Sequence, residues 1–273
     1  MKVELENIII EGFSRSTIET YFYIKDLHLS FDIGKCPFHL VSVPNIFLSH
    51  MHGDHCIGLY YYISHRNLAK MPLGKIYIPE GALEDLNNLI KSFSKLEHSN
   101  RTYELTPLKE DIEFEYNRVY NVRTFSTDHR IPSLGYTFFY KKSKLKEEFL
   151  GLSQKEIVKL KNEGIEITNK IKEPFITYLG DSTFKPLDNK DYDFIKKSKI
   201  LIMECTFILP EHYEEATLRK HIHIQDIINR KDQFQNKYII LSHFSMRYES
   251  SFIHSYLNKI LPKELKEKVI IFV

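Results

Sequence analysis

Three cysteines in 273 residues, Cys36, Cys56 and Cys205, are too few for a disulfide framework, and none stands in a C-x-x-C pair. They read as small reduced hydrophobes, although Cys56 and Cys205 each adjoin a residue with chemistry to offer. No apolar run approaches the length of a membrane-spanning helix, so no membrane partner is expected. The opening Met1-Lys2-Val3-Glu4-Leu5-Glu6 alternates like a strand and does not resemble a signal peptide. A cytosolic (cytoplasmic) or organelle-interior protein is expected, not a secreted one. There is no internal repeat and no low-complexity linker, so residues 1–273 read as one domain. Net charge is only +2, which argues for no particular class of partner. What remains, 42% hydrophobic and 27% charged residues, is ordinary for a globular chain with a sizeable core.

The unusual stretch is Ser49-His50-Met51-His52-Gly53-Asp54-His55, which follows the apolar run Ile46-Phe47-Leu48. Three imidazoles and a carboxylate within six positions make a metal-ligand density, not a core pattern. In extended chain, residues two apart share a side, so His50 and His52 can face one ion. A turn at Gly53 is expected to swing Asp54 and His55 toward a second. Imidazole with carboxylate suits zinc, and manganese or iron less well.

Apolar periodicity predicts strands over 3–10, 21–25, 27–32 and 45–48, with Gly12 and Gly34 as breaks. It predicts a helix over 57–70, in which Tyr60, Tyr61 and Tyr62 pack, then a short strand over 75–78. A second helix is expected from Pro79 to about Leu96, and hairpin strands over 111–122. Four later apolar strands each run into polar residues: 121–125 before His129, 175–179 before Asp181, 199–203 before Glu204, and 238–241 before His243. Sites in layered α/β proteins form in such loops, where a rigid sheet positions groups that solvent still reaches.

Residues 141–172 stand apart. They hold nine lysines against five glutamates, a surplus of four, so the rest of the chain is net −2. Ser153 and Glu156 form a capping box, Leu152 and Ile157 are spaced for a hydrophobic staple, and Gly164 is placed to end the helix. A helix of about three turns between lysine-rich connections is expected to protrude as an arm. Such a basic excursion is compatible with contact to a phosphate backbone.

In chain order the candidates are His50, His52, Asp54, His55, His129, Asp181 and His243, a set able to hold two metal ions with one carboxylate between them. This resembles the metallo-β-lactamase superfamily. Flanking residues narrow the likeness: Phe31-Asp32-Ile33-Gly34-Lys35-Cys36-Pro37, His129-Arg130-Ile131-Pro132-Ser133-Leu134-Gly135-Tyr136, the arm sequence from Lys144 to Ser153, and Gly180-Asp181-Ser182-Thr183. To these are added Met203-Glu204-Cys205-Thr206-Phe207, His221-Ile222-His223-Ile224 and His243-Phe244-Ser245-Met246-Arg247-Tyr248. Together, from about residue 8 onward, the chain resembles short-form ribonuclease Z of the plant and cyanobacterial type, the tRNA 3′-end processing endonuclease.

The resemblance implies an α/β fold, a four-layer αββα sandwich with a protruding arm. It implies two zinc ions per chain (with Mn2+ or Fe2+ as alternatives), His50, His52 and His129 binding the first, Asp54, His55 and His243 the second, and Asp181 bridging. It further implies precursor tRNA as partner, and a homodimer in which one subunit's arm, with Lys144 and Lys146, grips tRNA at the other's site. Asp54, Glu204 and His221 match the family's catalytic residues, while Ser245 and Arg247 stand within reach of a substrate phosphate, Arg247 by a bidentate fork. His223 is open between a supporting role behind the ligands and plain helix surface. The chemistry asks for such types: two cations activate water for in-line displacement, and a ribose 3′-oxygen leaves well only when an acid protonates it. Two departures from many bacterial members are visible, Met203 where they carry histidine and the absence of a Pro-x-Lys-x-Arg-Asn loop; plant-type members share the first. The rival readings are a phosphodiesterase or other hydrolase of small molecules, which has no need of a distant clamp, and an RNA-binding protein with a dead site, which would have lost ligands.

Overall fold

The computed structural model describes residues 1–273. Strands β1 (Lys2–Leu5), β2 (Ile8–Arg15), β3 (Glu19–Ile24), β4 (Leu29–Phe31), β5 (Asn45–Phe47), β6 (Lys75–Pro79) and β7 (Glu104–Leu108) form one sheet in chain order. Strands β8 (Glu113–Glu115), β9 (Tyr120–Ser126), β10 (Leu134–Leu145), β11 (Thr168–Tyr178), β12 (Ile200–Glu204), β13 (Tyr238–Ser242) and β14 (Val269–Ile271) form the other, also in chain order.

Alternation along the strands explains why these sheets stack with helices outside them. Phe47 points into the space between the sheets with Phe22, Phe31, Tyr136, Phe138 and Tyr178. Its neighbours Ile46 and Leu48 point the other way, against Leu59 and Ile63 of α2 (Leu59–Leu68) and Leu86 and Ile90 of α3 (Leu83–Leu96). In β12, Ile200 and Ile202 join the inter-sheet core, while Leu201 and Met203 meet the C-terminal helix residues Ile253 and Leu257. Strands buried on both faces need continuous apolar runs, which is what 46–48 and 200–203 supply. Full burial of such a side chain contributes about 1.5–3 kcal/mol, so even the three-residue β5 is well fixed. The result is the expected four-layer αββα sandwich.

Several local expectations are corrected. Gly12 is not a break: it lies inside β2, where a side chain's Cβ would come 2.2 Å from the Tyr21 carbonyl oxygen. The interruption falls instead at Glu6 and Asn7, both at positive φ. Pro79 closes β6, and α3 begins only at Leu83 after a 3-10 turn. The helix expected over 57–70 is α2, and a separate single turn, α1 (Gly53–Cys56), precedes it. Strand β7 was not expected; its Pro107 is tolerated because β7 is an edge strand.

Strand direction decides where chemistry and arm sit. β9, β11, β12 and β13 all run the same way, and β10 runs against them. The carboxyl ends of those four strands therefore share one edge with the carboxyl end of β5, which the backbone bond from Leu134 to the Ser49 carbonyl ties in at 2.9 Å. β10 starts at that edge and leaves from the opposite one. Beyond Tyr140 it loses its β9 partner and continues only with β11, from Lys141 opposite Lys172 to Leu145 opposite Thr168. The lysine-rich flanks of the arm are thus a two-stranded ribbon, not irregular connections. Like charges facing across it are offset by Glu115 on Lys141, Glu173 on Lys142 and Glu113 on Lys172. At the tip, helix α4 (Gln154–Asn162) has the capping box, with Ser153 accepting from the Glu156 backbone N–H. It ends in a Schellman motif at Gly164, φ 78°. No residue of α4 is buried, so the arm is held by its own hydrogen bonds and not by the body.

Candidate metal centre

Asp32 is the foundation of the site. Placed at the end of β4 with φ 51° and fully buried, it accepts from the Ser49 backbone N–H at 2.7 Å and from the Ser49 hydroxyl. That fixes the chain where β5 turns into the histidine motif. The turn onward is made by α1, with His52 at its N-cap, so one turn of helix and not a left-handed glycine swings Asp54 and His55 inward. Gly180 precedes Asp181 at φ 66°, with the space for a Cβ filled by Ser49. His243 follows β13 at φ 59°. Strained backbone of this kind concentrates at functional sites.

The seven predicted ligands converge in two groups. His50 Nε2 lies 3.0 Å from His52 Nδ1, which lies 3.1 Å from His129 Nε2. In the second group His243 Nε2 is 3.3 Å from both Asp54 Oδ2 and His55 Nε2. Asp181 Oδ2 sits between them, 3.8 Å from His50, 3.5 Å from His55 and 3.4 Å from His243. All donor atoms within a group lie within 4.8 Å of one another.

Tests of chemistry support metal binding. Four of the imidazoles have their outward nitrogen held by a protein group: His50 by Ser49 Oγ at 3.0 Å, His55 by Asp32 at 2.7 Å, His243 by Thr206 Oγ1 at 3.0 Å and His129 by the Lys220 carbonyl at 3.4 Å. Such outer partners orient metal-ligating histidines. Burial holds His50, His52 and His129 below the ordinary imidazole range, which keeps them neutral and able to ligate. Asp32, Asp181 and Glu204 are all nearly inaccessible, and each has an imidazole nitrogen within 3.5 Å. Buried carboxylates in that number call for a cation. Burial opposes ionisation of Asp54, but the His243 hydrogen bond and the charges of His55 and His243 outweigh it and hold Asp54 at about 2.

Next to the ligands, Glu204 accepts from the Ser182 backbone N–H at 2.9 Å and contacts His221 Nδ1 at 2.8 Å, with Thr206 donating to its other oxygen. Burial disfavours charge on His221, yet Glu204, and then Asp181, outweigh it and lift His221 to about 9. His221 comes within ligand range of Asp181 and His243, but its Nδ1 is already engaged by Glu204.

Comparison with known proteins follows from this geometry. A family model described as anti-Pycsar protein Apyc1 matches residues 27–252. The tRNase Z TRZ1 of Arabidopsis thaliana is 37% identical over 95% of this chain and 93% of its own. The chain belongs to the tRNase Z family, and to the one that this model describes. The chloroplastic tRNase Z TRZ2 of the same plant is 35% identical over 96% of this chain and 74% of its own. Among solved structures, the metallo-β-lactamase fold protein YhfI from Bacillus subtilis aligns with a TM-score of 0.64 at 12% identity, covering 95% of this chain and 93% of its own. Human tRNase Z, short form, aligns with a TM-score of 0.55 at 19% identity, covering 97% and 90%. These two likenesses show the metallo-β-lactamase fold.

The other expected contacts of this tRNase Z family member fall further out. Ser245 donates its backbone N–H to the Thr206 carbonyl, and Arg247 makes a fork, but to Glu215 at 2.7 and 2.8 Å. Lys144 and Lys146 sit on the arm ribbon at the far edge. His223 fits neither reading: it is buried, caps the helix Ile224–Asn229 by accepting from the Gln225 backbone N–H, and donates to the Leu209 carbonyl. Sequence reasoning missed Asp32, Thr206, Lys220 and Thr17, whose backbone N–H donates to Asp54 at 2.7 Å. The available signals were a carboxylate between an apolar strand and a glycine for Asp32, and adjacency to Glu204 and His221 for the next two.

Asp32→Ala is expected to weaken metal binding by about 10–100-fold at the group holding His55 and to affect the His50, His52 and His129 group much less. Metal titration followed by elemental analysis checks this; equal weakening of all metal bound would contradict it. Asp181→Ala, by contrast, should lower both.

Proposed function

We propose that this chain is a metal-dependent endoribonuclease that removes the 3′ trailer from precursor tRNA, leaving a 3′-hydroxyl on the tRNA and a 5′-phosphate on the trailer. The observation that carries the reading is the Glu204–His221 pair, joined at 2.8 Å beside two complete ligand groups, in a chain of the tRNase Z family. His50, His52 and His129 would hold one cation, Asp54, His55 and His243 the other, and Asp181 both; the donor set favours zinc. When bound, the pair supplies Lewis acidity toward water and the phosphoryl oxygens. Asp54, kept ionised, orients the attacking water or accepts its proton. On the far side His221 gives its proton to the departing 3′-oxygen, with Glu204 holding the ring in place. Arg247 is preorganised by Glu215 as a planar fork, which a substrate phosphate takes over.

The arm would bind the tRNA body through Lys144, Lys146 and their neighbours. Strand β10 spans twelve residues from the site edge to the arm, roughly 36 Å at about 3.3 Å per residue. An arm leaving from the edge opposite the metals favours service to a second subunit's site, hence a homodimer. No helix is long and apolar enough to cross a membrane, and relatives carry chloroplastic and nuclear names, which favours an organelle or cytosolic interior where tRNA is made. A second reading is a hydrolase of small phosphodiesters, which would use the same two ligand groups and have no need of the arm.

Two experiments separate the readings. Replacing residues 143–172 by a short Gly/Ser linker is expected to raise KM for precursor tRNA steeply and to reduce its salt dependence, because backbone contacts supply much of the affinity. Hydrolysis of a small activated phosphodiester should barely change; loss of both in a folded, metal-bearing protein favours the second reading. His221→Ala should leave metal content near normal and slow RNA cleavage by roughly 10²–10⁴-fold, with much less effect on a diester whose leaving group is already acidic. Equal losses on both substrates would remove His221 from the acid role.

A further inference from the structure

A pocket of about 300 Å³ opens beside His221, and its lining includes that histidine and none of the seven candidate ligands. It therefore opens along a face of His221 that the candidate ligands do not line. One wall is a stacked pair, with the Arg230 guanidinium carbon 4.5 Å from the centre of the Phe184 ring. Asp188 pins that guanidinium flat with bonds of 3.0 and 3.1 Å. Across the pocket Lys185 and Lys220 both reach Asp128 at 2.9 Å. Asp226, 3.7 Å from Arg230, completes a balance of three cations against three carboxylates.

That balance decides what the pocket suits. With both lysines and the arginine already matched to carboxylates, a bare phosphate finds only His221, itself engaged by Glu204, whereas a neutral planar group finds a cationic aromatic wall to stack on and donors and acceptors around its edge. Position gives the rest. In the proposed reaction the atom that leaves is a ribose 3′-oxygen in contact with His221, and the remainder of that nucleoside extends to the side without metals.

We propose that this pocket holds the nucleoside whose 3′-oxygen departs, with its base against the Phe184–Arg230 wall. The inference rests on the function proposed above and adds where the last retained nucleotide of the tRNA sits. Base–side-chain stacking of this kind is worth about one to two orders of magnitude in affinity. Because Lys220 also carries the carbonyl that holds His129, occupancy of the pocket bears on the same loop that positions a ligand and the acid.

The test is a cycle of two substrates and two enzymes. Precursor tRNA is compared with the same RNA lacking only the base of the nucleotide 5′ to the cut, using wild-type protein and Arg230→Ala. In the wild type the missing base is expected to lower kcat/KM roughly tenfold to a hundredfold. Arg230→Ala should lose a similar factor on the intact RNA and lose little more on the abasic one, since both changes remove one contact. If Arg230→Ala does not fold, Thr217→Trp serves in its place: Thr217 lines the pocket from the exposed face of the helix Tyr213–Arg219, and the indole would fill it. An abasic RNA cut as fast as the intact one, or two losses that multiply in full, overturns the assignment. Cleavage of intact RNA by the wild type reads the parent proposal separately, so a cut that ignores the base sinks this inference alone.

Discussion

The structure depends on one buried carboxylate. Asp181 Oδ2 lies within 3.8 Å of ring nitrogens from both ligand groups, and its residue is only 3% exposed. A carboxylate in that position is costly unless a cation sits beside it, and the nearby strand ends bring the imidazoles able to hold one. β5 delivers His50 and, through α1, His55; β9 delivers His129; β13 delivers His243. The requirement explains why the two sheets are joined at this edge, by the Leu134–Ser49 backbone bond and by the Ser16–Phe244 bond at 3.2 Å. It also explains why non-glycine residues at Thr17, Asp32, Lys220 and His243 accept left-handed backbone. The surrounding core holds that strain in place.

Around this centre the roles divide by distance. The candidate ligands are fixed by buried hydrogen bonds and by strands with apolar residues on both faces. The Glu204–His221 pair is tied to the candidate ligands through Thr206, which bonds Glu204 on one side and His243 on the other. The two groups are therefore positioned by one network, and a change in either is felt by both. The arm is the reverse case: α4 buries nothing, and its ribbon is stitched by surface pairs that salt weakens.

Much of this was legible in the sequence, for identifiable reasons. The seven residues that the structure brings together stand out in the sequence because imidazoles and a carboxylate crowd into His50–His55 and because the remaining three each follow an apolar strand. The arm helix was found because Ser153, Glu156 and Gly164 are local signals that need no tertiary partner. Asp32 was quoted but not assigned, since its bond to His55 crosses 23 positions and appears only when β4 and β5 lie side by side. Lys220 was invisible for the same reason: its carbonyl meets His129 across 91 positions. His223 misled because a histidine two places from an acid histidine suggests shared work, while the fold uses it as a helix cap. The ribbon was missed because lysines are poor strand formers, and only pairing with its partner strand makes them extended.

The central claim is that water, activated beside Asp181, displaces a ribose 3′-oxygen that His221 protonates. Its most direct test is to incubate the purified, metal-loaded protein with a 3′-extended tRNA transcript and to determine the cut position and both new ends. The account predicts one cut at the junction of tRNA and trailer, with a 3′-hydroxyl on the tRNA and a 5′-phosphate on the trailer. A cyclic phosphate on the tRNA with a 5′-hydroxyl trailer, or an intact transcript under conditions where a small phosphodiester is hydrolysed, would contradict it.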